Sequence, residues 1–367
     1  MTLTVIVCHL LRGGTVERRT GHPFRIFGRW TLRLAAGAAV FITALALGGG
    51  VHHHFASRAE LAGLRPPGRL VAVEGHTFHL YCTGEGRRTV ILESGAGVPW
   101  LAWAWIQPAV AEVARVCSYD RAGYGWSSTS TSAMDAENVS QQLHELLKTA
   151  SIPGPYILVG HSIGGAYARM FTAKFPQDVT GLVLIDATSP SVLETYAEVD
   201  LPRVEDWTPA TLKIFPYLAS VGAMRAVVNL GLFNLAAGLP PRSEEVAKVF
   251  LYQAAYIETT IEEYRFIPDT LKQIQHLKPQ SGLPVAIVVA DRFTGLDDAT
   301  EARFVRWHQA QQRNWLAISE NSSIEVIAGA DHISLMTNKL HAHEVANSIT
   351  KMVEKVSAGE PRELLPQ

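Results

Sequence analysis

The sequence predicts an α/β fold: a mostly parallel sheet flanked by helices, with one helical insertion and an apolar segment near the N-terminus. Three observations predict it. Residues 156–159 are strand-type and run straight into Gly160-His161-Ser162-Ile163-Gly164, after which residues 166–175 read as helix. Strand and helix patterns alternate from residue 89 to residue 186, as parallel strands with crossover helices require. Between residues 187 and 282 the strand pattern stops, and helical stretches punctuated by prolines replace it.

Composition sets the frame for these elements. The chain has 367 residues, 47% hydrophobic and 18% charged, with a net charge of −2. That suits a well-buried core and excludes a disordered chain. With no basic stripe and no nucleic-acid signature, no nucleic-acid partner is expected. The three cysteines, Cys8, Cys82 and Cys117, form no Cys-x-x-Cys pair, so neither a structural zinc nor any other cofactor is expected. His52-His53-His54 directly follows an apolar run and reads as a solvated or interfacial linker rather than a metal site.

Residues 1–33 form a basic N-terminus, with Arg12, Arg18, Arg19, Arg25 and Arg29 against the single acid Glu17. Residues 34–51 carry no charge, and a run of about 18 is near the minimum for a membrane-spanning helix. The arginines before it predict a cytoplasmic N-terminus, with the rest of the chain on the outer face. Ala44-Leu45-Ala46 also resembles a cleavage site, which would make the protein secreted instead. Residues 52–68 read as a linker.

A hairpin of strands over 70–73 and 76–82 opens the core, which spans 69–186 and 283–356. A buried-type strand over 89–93 ends in Ser94-Gly95-Ala96-Gly97. A helix-like segment with Trp100, Trp103 and Trp105 leads to a strand over 114–119, ending in Asp120-Arg121-Ala122-Gly123. Residues 135–150 place Val139, Leu143, Leu146 and Leu147 at helical spacing. After the serine-bearing strand comes another over 181–186. The insertion, residues 187–282, reads as a cap with helices over 211–239 and 244–277. Its apolar residues, among them Ile214, Leu230, Leu232, Phe233, Leu235 and Phe250, are expected to line an acyl pocket or to form the cap's own core. Strands over 284–291 and 323–327 follow, separated by a helix with Trp307 and Trp315. Asp331-His332, a helix over 343–356 and a tail over 357–367 close the chain.

Gly-x-Ser-x-Gly between a strand and a helix holds the serine hydroxyl exposed at a sharp turn. The glycines let the backbones approach, and the helix N-terminus favours developing negative charge beside Ser162.

With these motifs the chain resembles the α/β-hydrolase superfamily over residues 68–356, and its layout resembles membrane-anchored or exported bacterial members. The resemblance implies an eight-stranded sheet in the order 1-2-4-3-5-6-7-8. It implies Ser162 as nucleophile and His332 as base, with His341 and His343 as rivals and His161 as an elbow packing residue. The acid is Asp186 after strand six or Asp291 after strand seven. The backbone N–H groups of Ile163 and Ala96 would form the oxyanion hole, and Asp120 and Arg121 a structural charge pair. Serine at position 162 argues against a dehalogenase or epoxide hydrolase, where an aspartate stands. Strands two and four are neighbours in that sheet order, so a Cys82–Cys117 disulfide is plausible in an oxidising compartment and would add about 3 kcal/mol. The implied activity is cleavage of an ester or related acyl bond in a small-molecule substrate. A non-catalytic binding module, and aminopeptidase, thioesterase, lactonase, carbon–carbon hydrolase or acyltransferase chemistry on the same fold, stay open.

Overall fold

The structure, a computed structural model, describes residues 23–199, 210–232 and 236–358. Cys8, Arg12, Arg18, Arg19, Phe233, Leu235 and residues 359–367 lie outside the described residues. Helix α1, Pro23–Gly63, contains the uncharged run. From Trp30 to Gly63 it is long and apolar enough to cross a membrane, with a mean hydropathy of 2.0 over its 18-residue apolar window. The helix does not stop at residue 52, where the sequence suggests a linker. Residues 56–62 are mostly good helix formers, and His53 and Ser57 are buried against the cap, so propensity and packing agree.

The sheet has eight strands: β1 Arg69–Val73, β2 His76–Thr83, β3 Thr89–Glu93, β4 Arg115–Tyr119, β5 Tyr156–His161, β6 Val179–Ile185, β7 Val285–Arg292 and β8 Ser322–Asp331. Their spatial order is β1-β2-β4-β3-β5-β6-β7-β8, as the resemblance implies. β1 and β2 pair antiparallel, β2 and β4 antiparallel, and every later pairing is parallel. β3 and β5 are buried at every position, which is why they read as unbroken apolar runs. Cys82 and Cys117 face each other in the β2–β4 register and are joined, Sγ–Sγ 2.06 Å.

Between β3 and β4 lies the short helix α2, Ile106–Val110. Helix α3, Ala136–Thr149, starts at Asp135, whose carboxylate accepts the Asn138 N–H at 2.9 Å. Helix α4, Ile163–Lys174, follows the elbow directly. Among the described residues the insertion holds five α-helices: α5 Val192–Thr195, α6 Phe215–Ser220, α7 Ala223–Asn229, α8 Pro241–Leu251 and α9 Ala254–Gln275. The helix expected over 211–239 breaks at Gly222, which adopts φ 77°. Pro268 sits inside α9 without ending it; contacts with α3, α4 and α6 offset the hydrogen bond that proline forfeits. Helix α10, Asp298–Arg313, joins β7 to β8, and α11 Ser334–Thr337 and α12 Lys339–Ala358 close the fold.

Apolar side chains fill both faces of the sheet. One cluster joins it to α3, α4 and α9, and the other to α2 and α12. The cap has a third cluster, built on Met224, Phe250 and Leu251, with Leu61 of α1 packed against it.

Candidate active site

The elbow places Ser162 at φ 56° and ψ −127°, a region that costs a non-glycine residue about 1–3 kcal/mol. Backbone hydrogen bonds hold it there. The Ser162 N–H donates to Ile185 O at 3.0 Å, and its carbonyl accepts from Gly165 and Thr188, each at 3.0 Å. Position 164 must be glycine, because a Cβ there would run into the carbonyl oxygens of Glu93 and Ser94. Ile163 is the first residue of α4, so its N–H has no acceptor in the preceding helical turn.

The exit of β6 supplies the carboxylate. Asp186 is also at positive φ, 45°, and its N–H donates to Val288 O at 2.7 Å. Its fully buried side chain meets two histidines. Oδ2 lies 2.6 Å from His332 Nδ1, while Oδ1 lies 2.7 Å from His308 Nε2 and accepts the Ala290 N–H at 3.0 Å. Burial alone would raise the Asp186 pKa, but His308 and His332 outweigh it and hold the carboxyl well below the usual carboxylate range.

Of the two aspartates considered from sequence, Asp186 is therefore the one beside His332. Asp291 lies within β7 and accepts the Gly329 N–H at 2.7 Å, a contact that ties β7 to β8. His341 Nδ1 lies 3.0 Å from Ser334 Oγ, away from both aspartates. His161 is 4% exposed; its Nε2 meets the His332 carbonyl at 3.1 Å, and the two rings lie 4.6 Å apart. Burial, then the neighbouring His332, lower its pKa to about 3, so it is neutral at physiological pH.

Ser162, Ile163, Ala96, Asp186, His308 and His332 all border one cavity of about 600 Å³. Its apolar wall comes from Val192, Tyr264 and Ile267 on one side and from Phe293, Phe304 and Trp307 on the other. Of the cap's apolar residues, expected to line an acyl pocket or to form the cap's own core, Phe250 is in that core, while Ile214, Leu230 and Leu232 do neither and are solvent-exposed. Among the described residues, Ser162 Oγ has no hydrogen-bond partner. Nucleophile–base contacts are often loose without substrate.

The loop over 94–97 is clamped from beneath. Arg121 donates to the carbonyls of Ser94 and Gly95, both at 2.7 Å, and the Gly97 N–H donates to Glu263 of α9 at 2.8 Å. Ala96 is the residue between these fixed points. Arg121 also pairs with Glu93 at 2.7 Å and Glu263 at 2.8 Å, and Tyr124 and Tyr167 donate to the same Glu263 carboxylate. Burial works against the Arg121 charge, but the two carboxylates keep it firmly cationic. The expected Asp120–Arg121 pair does not form: Asp120 instead meets His79 at 2.8 Å and accepts the backbone N–H groups of Trp100 and Trp126. His308 and Glu263 escape sequence reading because neither sits in a motif. His308 is 122 positions from Asp186, and Glu263 is 166 from Gly97.

Strand order, elbow and cavity together define the α/β-hydrolase fold. A family profile for the alpha/beta hydrolase fold matches residues 89–227. The Cif epoxide hydrolase from Acinetobacter nosocomialis superposes with a TM-score of 0.61 at 15% identity, over 83% of this chain and 96% of that one. A membrane phospholipase A described as a bacterial virulence factor gives 0.55 at 18% identity, over 91% and 99%. The uncharacterised Bacillus subtilis (strain 168) protein YbdG is 28% identical over 179 residues, 48% of this chain and 53% of that protein. The chain spans about half the length of the curated relatives it matches. Its strand order and the match over residues 89–227 give it the α/β-hydrolase fold.

Proposed function

We propose that the protein is a membrane-anchored serine hydrolase that cleaves an ester or related acyl bond through an acyl-enzyme. The observation that carries this reading is the 2.6 Å contact of His332 Nδ1 with buried Asp186, at the mouth of a cavity that Ser162 also borders. Ser162 Oγ attacks the acyl carbonyl carbon and its proton passes to His332 Nε2. Asp186 fixes the tautomer and stabilises the imidazolium. The oxyanion faces the N–H groups of Ile163 and Ala96, and one such donor is worth about 3 kcal/mol. Collapse breaks the ester C–O bond, and the departing alkoxide takes the proton from His332. Water, deprotonated by the same histidine, then attacks the acyl-enzyme and releases the acid and Ser162. The apolar cavity wall supports a substrate with an apolar acyl or alcohol part. Serine at the elbow favours acyl transfer over the epoxide opening in the name of one structural neighbour.

In this proposal α1 is the anchor and the catalytic residues face outward; the Cys82–Cys117 bond supports an oxidising compartment. A membrane-impermeant fluorophosphonate applied to intact cells tests both parts. Wild type should label and Ser162→Ala should not. Labelling of the alanine variant would refute Ser162 as nucleophile, and wild-type labelling only after lysis would refute the outward placement.

A further inference from the structure

The uncharged run of α1 ends at residue 51, and just before that end it touches the cap. A Cβ at Gly49 would run into the carbonyl oxygen of Val221, and one at Gly50 would stand 3.2 Å from Ser220 O. From the other side, a Cβ at Gly222 would stand 2.8 Å from Gly49 O. The helix and the α6–α7 turn thus meet backbone to backbone, at a crossing that only glycines permit. Two turns further along α1 a polar cluster fixes the docking. Arg225 of α7 donates to both Glu60 oxygens at 2.8 Å, to Ser57 Oγ at 2.8 Å and to His53 Nδ1 at 3.2 Å, and lies 4.5 Å from the ring centre of Tyr252.

This geometry has a depth consequence. Whatever touches the backbone of Gly49 and Gly50 sits at the level where the apolar run leaves the bilayer. We infer that the α6–α7 turn, residues 220–222, is a second membrane contact seated in the phospholipid interface beside α1. The inference rests on α1 spanning the bilayer and is independent of the hydrolytic chemistry. The side chains flanking the turn suit that place. Tyr217 is 72% exposed, and tyrosine with its apolar ring and polar tip favours the headgroup level. Ile214 is more than half exposed and Lys213 beside it is exposed, a pairing that suits an anionic interface. Arg225 brings no bare charge to the docking, because its guanidinium is fully engaged. From the turn, α6 packs on α9, which carries Tyr264 and Ile267 of the cavity wall.

Depth-dependent fluorescence quenching tests this on the full chain. In a Cys8→Ser background, single cysteines Tyr217→Cys and Ser220→Cys carry an environment-sensitive nitrobenzoxadiazole label. Leu45→Cys in α1 and Val113→Cys, 46% exposed at the far end of the sheet, are the references. The proteins are reconstituted into phosphatidylcholine–phosphatidylglycerol vesicles carrying nitroxide lipid, and thermal melts confirm that each variant folds. Labels at 217 and 220 should shift to the blue, lose emission to nitroxide lipid and resist aqueous iodide, as at Leu45, while Val113 shows the reverse. Labels at 217 and 220 that behave like Val113 overturn the second contact alone. A Leu45 label that behaves like Val113 overturns the spanning helix and this inference together, leaving the chemistry of Ser162 untouched.

Discussion

Asp186 divides its carboxylate between two histidines, and the division sets testable roles. Asp186→Asn should lower ester turnover by up to about 10⁴-fold, whereas Asp291→Asn should cost less than about tenfold. Equal losses on p-nitrophenyl esters would show that the 2.6 Å contact to His332 does not matter for turnover. His308 shares the Asp186 carboxylate with His332. Removing that second partner in His308→Leu should lower ester kcat, whereas His308→Gln keeps a donor and should stay near wild type. A leucine variant with a lower melting temperature and unchanged kcat would show a purely structural role. Ser162, His332 and both candidate acids were legible because a strand end and a turn mark each one. His308 was not, since it comes from the face of α10, where nothing local distinguishes a cavity-lining histidine from a solvated one.

Helix α9 borders the candidate site through Tyr264 and Ile267 and braces the loop beside it. Glu263 reaches under the cap to hold Gly97, Tyr124 and Arg121 at once, so the cap helix and the loop beneath Ala96 form one buried ionic unit. Breaking a buried pair leaves an uncompensated charge, and Glu263→Gln should cost about 3 kcal/mol in denaturant unfolding in detergent. An unchanged midpoint would mean that Glu93 alone satisfies Arg121. The sequence showed that helices fill residues 187–282 but not which side chains face the core. Amphipathic spacing marks a buried face without separating the cap's own core from a contact with another layer. That is why Phe250 stayed open between the acyl pocket and the cap's own core, and Tyr264 and Ile267 were not singled out. The strands themselves were far easier to read, because buried parallel strands are continuous apolar runs; their order was what the resemblance to the α/β-hydrolase superfamily implied.

The molecule as a whole should lose stability in mild acid. His161 is neutral in the folded state, with a pKa lowered to about 3 from the ordinary 6.5, so the unfolded chain binds the extra proton. Its contribution is fully present above pH 6.5 and is lost as pH falls toward 3; between pH 7 and pH 5 the loss is about 2 kcal/mol. Asp186, whose pKa is depressed, adds to this only below about pH 4. Unfolding in detergent at the two pH values should show the slope in wild type and a flatter one in His161→Gln; identical slopes would refute the assignment. The unbroken course of α1 also bears on how the protein is handled. Removing the apolar N-terminal helix to obtain a shorter fragment invites a cut at the start of the first strand, near residue 69. That cut would strip Arg225 of Glu60, Ser57 and His53 and uncover the cap core where Leu61 packs. A fragment beginning near residue 52 keeps that helical brace, and the boundary for such a fragment belongs inside the helix rather than after it.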